Sequence, residues 1–129
     1  MKIVIVDDEP DVCDLIHYYL SKRDIQVEKF NDPEKAWHHI KQDPPELIIT
    51  DWLMPKINGE ELLKLIKSDT KLEHIPVIFL SCMTDFAGIS KLFRFGACDY
   101  LVKPINMSAL YNKVVENYQV TYNRAFVQV

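Results

Sequence analysis

The chain has 129 residues, enough for one domain with a real core and too few for two. Hydrophobic residues make up 48% and charged residues 26%, an ordinary globular balance, and the net charge of −4 argues against a strongly basic nucleic-acid-binding surface. No apolar run approaches the ~20 residues of a membrane span. The apolar start at 3–6 is too short for a signal peptide and runs straight into Asp7, Asp8 and Glu9, so the cytoplasm is the expected compartment.

Residues 2–6 are β-branched and almost wholly apolar, the pattern of a strand buried on both faces of a parallel sheet. After Pro10, the spacing of Val12, Leu15, Ile16, Tyr19 and Leu20 predicts an amphipathic helix to about Arg23. Residues 25–30 alternate as a second strand. Asn31-Asp32-Pro33-Glu34 is a helix start: Asp32 can cap, Pro33 fits the first turn and Glu34 suits the positive helix end. That helix carries Ala36, Trp37 and Ile40 and is stopped by Pro44-Pro45.

A third short strand covers 47–50, followed by a loop over 51–59. The third helix is expected over 60–68, with Leu62, Leu63, Leu65 and Ile66 facing inward. Pro76 precedes a fourth strand ending at Leu80 or Ser81. A fourth helix lies within 86–95 and is ended by Gly96; Phe86, Phe93 and Phe95 are expected mainly in the core, and any member left exposed would be a candidate partner contact. The fifth strand is 99–102. Lys103-Pro104 makes a turn, Asn106 can cap, and Leu110, Val114 and Tyr118 mark the last helix. Residues 1–118 form the expected domain. Residues 119–129 are read as a helix extension or tail, with Tyr122, Phe126 and Val127 unusually apolar for a free end.

Strand and helix thus alternate five times, which predicts an α/β fold: a doubly wound, flavodoxin-like five-stranded parallel sheet in the order 2-1-3-4-5 with five helices. In such sheets ligands bind at the carboxyl ends of the strands. Strand 1 delivers Asp7 and Asp8 there, strand 3 delivers Asp51, strand 4 Ser81 and strand 5 Lys103. Three carboxylates at one place repel unless a cation sits among them, and hard oxygen donors suit Mg²⁺, or Mn²⁺ in its place. Lys103 and the Ser81 hydroxyl are matched to phosphoryl oxygens, and Asp51, central in the sheet, is the natural nucleophile. Taken singly, Asp7 or Asp8 is more often a helix cap, Lys-Pro a turn and Ser81 a strand-end hydroxyl; their convergence is what points to phosphoryl chemistry.

These residues resemble the receiver domains of bacterial two-component response regulators. The resemblance lies in Val6-Asp7-Asp8-Glu9-Pro10, Asp51-Trp52-Leu53-Met54-Pro55 with Gly59, Ser81, and Tyr100-Leu101-Val102-Lys103-Pro104, and covers about residues 1–118. It implies that Asp51 accepts a phosphoryl group from a phosphohistidine on a sensor histidine kinase or a histidine phosphotransfer protein. It implies direct Mg²⁺ binding by Asp8, Asp51 and the Leu53 carbonyl, with Asp7 acting through water. Ser81, Lys103 and the backbone at Cys82 would hold the phosphoryl oxygens, and Tyr100 would turn inward. The fourth helix, fifth strand and fifth helix would then form the surface for an output protein, an attached effector or a homodimer. Contact with phosphate is the interaction that biases two pre-existing states.

Cys82 stands where Ala or Gly is more usual in that family. Leu53 and Met83 flank the site with apolar side chains that cannot orient a water, so slow phosphoaspartate hydrolysis is expected. Cys13, Cys82 and Cys98 form no CxxC pair and are expected as buried or partly buried thiols in a reducing compartment. His38-His39 is expected on a solvated helix face. A haloacid-dehalogenase-like phosphatase is the competing enzyme reading, but the Asp it needs two residues after the nucleophile is Leu53 here. A vestigial receiver-like interaction module is the other. No DNA-binding or cyclic-nucleotide motif is present, so the chain either works alone or is part of a longer protein.

Overall fold

The apolar run at the start of the chain forms β1 (Lys2–Val6), buried along nearly its whole length. A computed structural model describes residues 1–126. The chain continues through α1 (Pro10–Ser21), β2 (Gln26–Phe30), α2 (Pro33–Gln42), β3 (Leu47–Asp51), α3 (Gly59–Lys67), β4 (Val77–Ser81), α4 (Phe86–Arg94), β5 (Asp99–Val102) and α5 (Met107–Tyr122). All strand pairs are parallel and the order is β2-β1-β3-β4-β5. Sequence and structure agree on every element, and bounds shift by a residue or two.

Strand residues alternate between the two faces of the sheet, and each face has its own core. Val4, Val6, Ile48, Val77 and Phe79 pack against Ala36 and Ile40 of α2, Leu62, Leu63 and Ile66 of α3, and Leu92 of α4. Ile3, Ile5, Leu47, Ile49, Ile78 and Leu80 pack against Cys13, Ile16 and Leu20 of α1 and Leu110 and Val114 of α5. The caps read from sequence form: Asp32 Oδ1 accepts from Glu34 N–H at 2.9 Å, and Asn106 Oδ1 accepts from Ala109 N–H at 3.0 Å. Asn58 and Glu61 make a reciprocal capping box at the start of α3.

Several placements differ from expectation. Leu65 is exposed, because α3 already turns Leu62, Leu63 and Ile66 to the core. Leu92 is the one fully buried residue of α4; Phe86 is 82% exposed and Phe93 is also exposed, while Phe95 packs partly on the core. Cys82 is exposed, unlike Cys13 and Cys98, whose thiols burial pushes up to about 12. His39 is not on a solvated face. Its Nε2 lies 2.8 Å from Glu28 Oε2, and its ring packs against Phe30 at 5.0 Å between centroids. The last helix runs to Tyr122, whose hydroxyl donates to the Glu46 carbonyl, and Phe126 packs against Tyr118. Val127 lies outside the described residues.

Among the described residues, no helix is long and apolar enough to cross a membrane.

Candidate functional site

Four strands end at one place. Asp7 follows β1, Asp51 closes β3, Ser81 closes β4 and Lys103 follows β5. The parallel register aligns them: Asp51 is opposite Leu80, Ser81 is opposite Val102, and Lys103 N–H donates to the Ser81 carbonyl at 2.9 Å. Gly59 lets the next segment close over the acceptor strand. A Cβ there would collide with the Asp51 carbonyl, and Gly59 N–H donates to the Trp52 carbonyl at 2.7 Å.

Lys103 is the hub. Its Nζ lies 2.9 Å from Asp7 Oδ2, 3.0 Å from Glu9 Oε1 and 3.1 Å from Asp51 Oδ2, with the side chain only 9% exposed. Burial alone would lower its pKa, but the surrounding carboxylates of Asp7, Glu9 and Asp51 outweigh it and hold the ammonium above the usual lysine value. Asp7 is fully buried. Burial raises its carboxyl and the Asp51 charge adds to this, while the Glu9 N–H and Lys103 pull it back in part. Asp7 Oδ1 accepts from Glu9 N–H at 2.9 Å, whereas Oδ2 is buried without a well-directed hydrogen bond. Asp51 Oδ1 accepts from Trp52 N–H at 2.7 Å, which leaves Oδ2 toward Lys103.

Carboxylate oxygens of Asp7, Asp8 and Asp51 all lie within 4.8 Å of one another. A poorly satisfied buried oxygen and a cluster of hard donors fit a small divalent cation. Beside the triad is a cavity of about 250 Å³ lined by Asp8, Glu9, Asp51, Leu53, Ser81, Cys82, Met83 and Lys103. The expected residues at the strand ends therefore converge, with Asp7 in the triad but not in the cavity wall. Tyr100 does not line this cavity; its hydroxyl donates to the Met83 carbonyl at 2.6 Å, and its ring meets Trp52 edge-on at 6.2 Å. Two residues here escaped the reading of single strand ends. Glu9 reaches Lys103 from the far end of the chain, and its place directly after Asp7-Asp8 was the available signal. Trp52 packs its indole against Gly88 of α4, a contact with no signature in the sequence.

Five parallel strands in this order, with acidic side chains and a lysine at their carboxyl ends, define a receiver-type module. The model of the response regulator receiver domain matches residues 3–115, and the chain belongs to that family. It is 33% identical over 118 residues to Protein RcaC of Microchaete diplosiphon, covering 92% of this chain and 18% of that protein. It is 33% identical over 124 residues to the response regulator GtcR of Aneurinibacillus migulanus, covering 96% and 48% respectively. The chain thus spans less than half the length of either relative. The receiver domain of the Francisella response regulator 1452 superposes with a TM-score of 0.86 at 27% identity, covering 93% of this chain and 98% of that one.

Proposed function

We propose that this domain is a phosphoacceptor switch in which Asp51 takes a phosphoryl group from a phosphohistidine. The observation that carries this reading is Lys103 Nζ held 3.1 Å from Asp51 Oδ2, beside the acidic triad and above a cavity sized for a phosphoryl group. An Asp51 oxygen attacks phosphorus, the phosphorus–nitrogen bond breaks, and the imidazole leaves with the electron pair. An acyl phosphate remains on Asp51. Lys103 and the Ser81 hydroxyl, with the Cys82 backbone, hold the phosphoryl oxygens as charge shifts onto them.

Asp8, Asp51 and the Leu53 carbonyl would hold Mg²⁺, or Mn²⁺, with Asp7 acting through water. The ion supplies neutralisation of the donor's negative charge. The partner on the input side is a sensor histidine kinase or a histidine phosphotransfer protein in the cytoplasm. On the output side, α4, β5 and α5 present the responsive surface to an effector or a second copy, and Phe86, Phe93 and Val102 are exposed there. The domain catalyses its own phosphorylation and slow hydrolysis of the product, and no turnover of other substrates is expected. The apolar Leu53 two residues after Asp51 disfavours a phosphatase, and the intact set Asp7, Asp8, Asp51, Ser81 and Lys103 disfavours a vestigial module.

Intact mass after incubation with acetyl phosphate and Mg²⁺ tests the reading. One phosphoryl group should add to the native protein and none to Asp51→Asn. Equal masses for both would overturn it.

A further inference from the structure

Lys103 has three ammonium hydrogens, and three carboxylates stand within 3.1 Å of its nitrogen. Two of these, Asp7 and Asp51, belong to the acidic triad; the third, Glu9, does not. Glu9 differs from the others in exposure as well. Its side chain is 61% exposed, while those of Asp7 and Asp51 are buried. A second cavity of about 430 Å³, lined mostly by apolar residues of α1 and the β5–α5 turn, adjoins the acidic one. Glu9, Cys82 and Lys103 line both and form the partition between them. Glu9 therefore stands at the rim of the site with its charge toward solvent and its oxygen on the buried lysine.

We propose that Glu9 is a positioning and selectivity residue: it tethers Lys103 and places a fixed negative charge where a phosphoryl donor enters, slowing capture from small free anions. The inference rests on Asp51 being the phosphoacceptor. Two physical effects act in the same direction. Lys103 must release a carboxylate before it can donate to a phosphoryl oxygen, and a tether to Glu9 is one it keeps when Asp7 and Asp51 are otherwise engaged. A small dianionic donor also approaches a mouth in which the carboxylates of Asp8, Glu9 and Asp51 face a single ammonium. Glu9 is a structural bystander in its own helix. It precedes α1 as the N-cap, but its side chain makes no capping hydrogen bond, so replacing it leaves α1 intact.

The test compares native protein, Glu9→Gln and Glu9→Asp in rate of phosphoryl gain from acetyl phosphate with saturating Mg²⁺, between about 0.02 and about 0.5 M salt. Glu9→Gln should be faster than native by about fivefold at low salt, the effect of one removed charge at close range. The advantage should shrink as salt rises. Glu9→Asp restores the charge and should return most of the way to the native rate. A merely structural role would not give this salt dependence or this rescue by Asp. If the native protein is phosphorylated but Glu9→Gln is no faster, or Glu9→Asp is as fast as Glu9→Gln, the role of Glu9 is wrong while the phosphoacceptor reading stands. If native protein and Asp51→Asn are equally inert, the phosphoacceptor reading fails and Glu9 falls with it.

Discussion

The Tyr100 hydroxyl donates to the Met83 carbonyl at 2.6 Å, which ties β5 to the loop two residues beyond Ser81. That loop carries Cys82 and Met83, both part of the wall of the acidic cavity. Burial raises the Tyr100 phenol; the Ser81 hydroxyl lowers it, and the charges at Asp51 and Cys82 add to the rise. The phenol therefore lies within electrostatic reach of Asp51 while its hydroxyl holds the loop.

Tyr100→Phe keeps the ring against Trp52 and removes the bond to Met83 together with the phenol's contact with the Ser81 hydroxyl. Stability should fall by at most about 1 kcal/mol, the net worth of one hydrogen bond. Amide exchange in the 82–86 segment should quicken more than anywhere else. Hydrogen exchange read by mass spectrometry would show this; an unchanged 82–86 peptide would mean the bond does not restrain the loop.

The raised carboxyl of Asp7 makes a prediction about pH. A group whose folded value lies above its unfolded value favours the fold below the unfolded value, near 3.8, and that advantage is lost as pH rises through the folded value. Above that folded value the buried carboxylate is a burden on the fold, one that a divalent cation bound by the triad would offset. Asp7→Asn should melt a few degrees higher than native at pH 7 without metal. The gain should fade toward pH 4, and Mg²⁺ should raise the native melting temperature far more than that of the variant. A variant that melts lower than native at pH 7 would show that the Lys103 pair outweighs the burial cost.

Leu53 and Met83 both line the cavity beside Asp51, and neither can position a water by hydrogen bonding. A phosphoryl group on Asp51 should therefore persist for minutes or longer. Leu53→Asn and Met83→Glu should each shorten its lifetime by about tenfold or more, since each restores a polar group that can orient a nucleophilic water. Decay followed by intact mass after removal of the donor gives the answer, and a native half-life of seconds would refute the slow-switch reading.

Most of the frame was legible because it depends on local pattern. Apolar runs such as 3–6 and 47–49 have only one home in an alternating α/β chain, and strand order then carries Asp7, Asp51, Ser81 and Lys103 to one edge. What was hidden depends on which way a side chain points after packing. Phe86 reads as a core aromatic but begins a helix that spends its buried side on Leu92. His39 reads as solvated, but the pairing of β1 with β2 and the packing of α2 bring it to Glu28. Glu9 and Lys103 are 94 residues apart, and only the fold makes them partners.

The same limit hid the contact between Trp52 and Gly88, which supports the sharpest energetic prediction. Gly88 lies in the first turn of α4, and a Cβ there would come within 2.7 Å of indole Cη2. Glycine weakens a helix by about 1 kcal/mol relative to alanine, so on propensity alone Gly88→Ala should stabilise α4. The collision with Trp52 opposes this, and overpacking of this kind costs about 1–3 kcal/mol. The collision should win because the indole is held on two sides, edge-on to Tyr100 and against α4. Gly88→Ala should therefore destabilise the native protein, yet stabilise a Trp52→Leu background in which the seat is vacant. Urea unfolding of the four proteins gives the coupling energy directly. A change of sign between the two backgrounds is the expected result; the same sign in both would mean that α4 shifts away from Trp52 at little cost, and that the two residues are neighbours without being coupled.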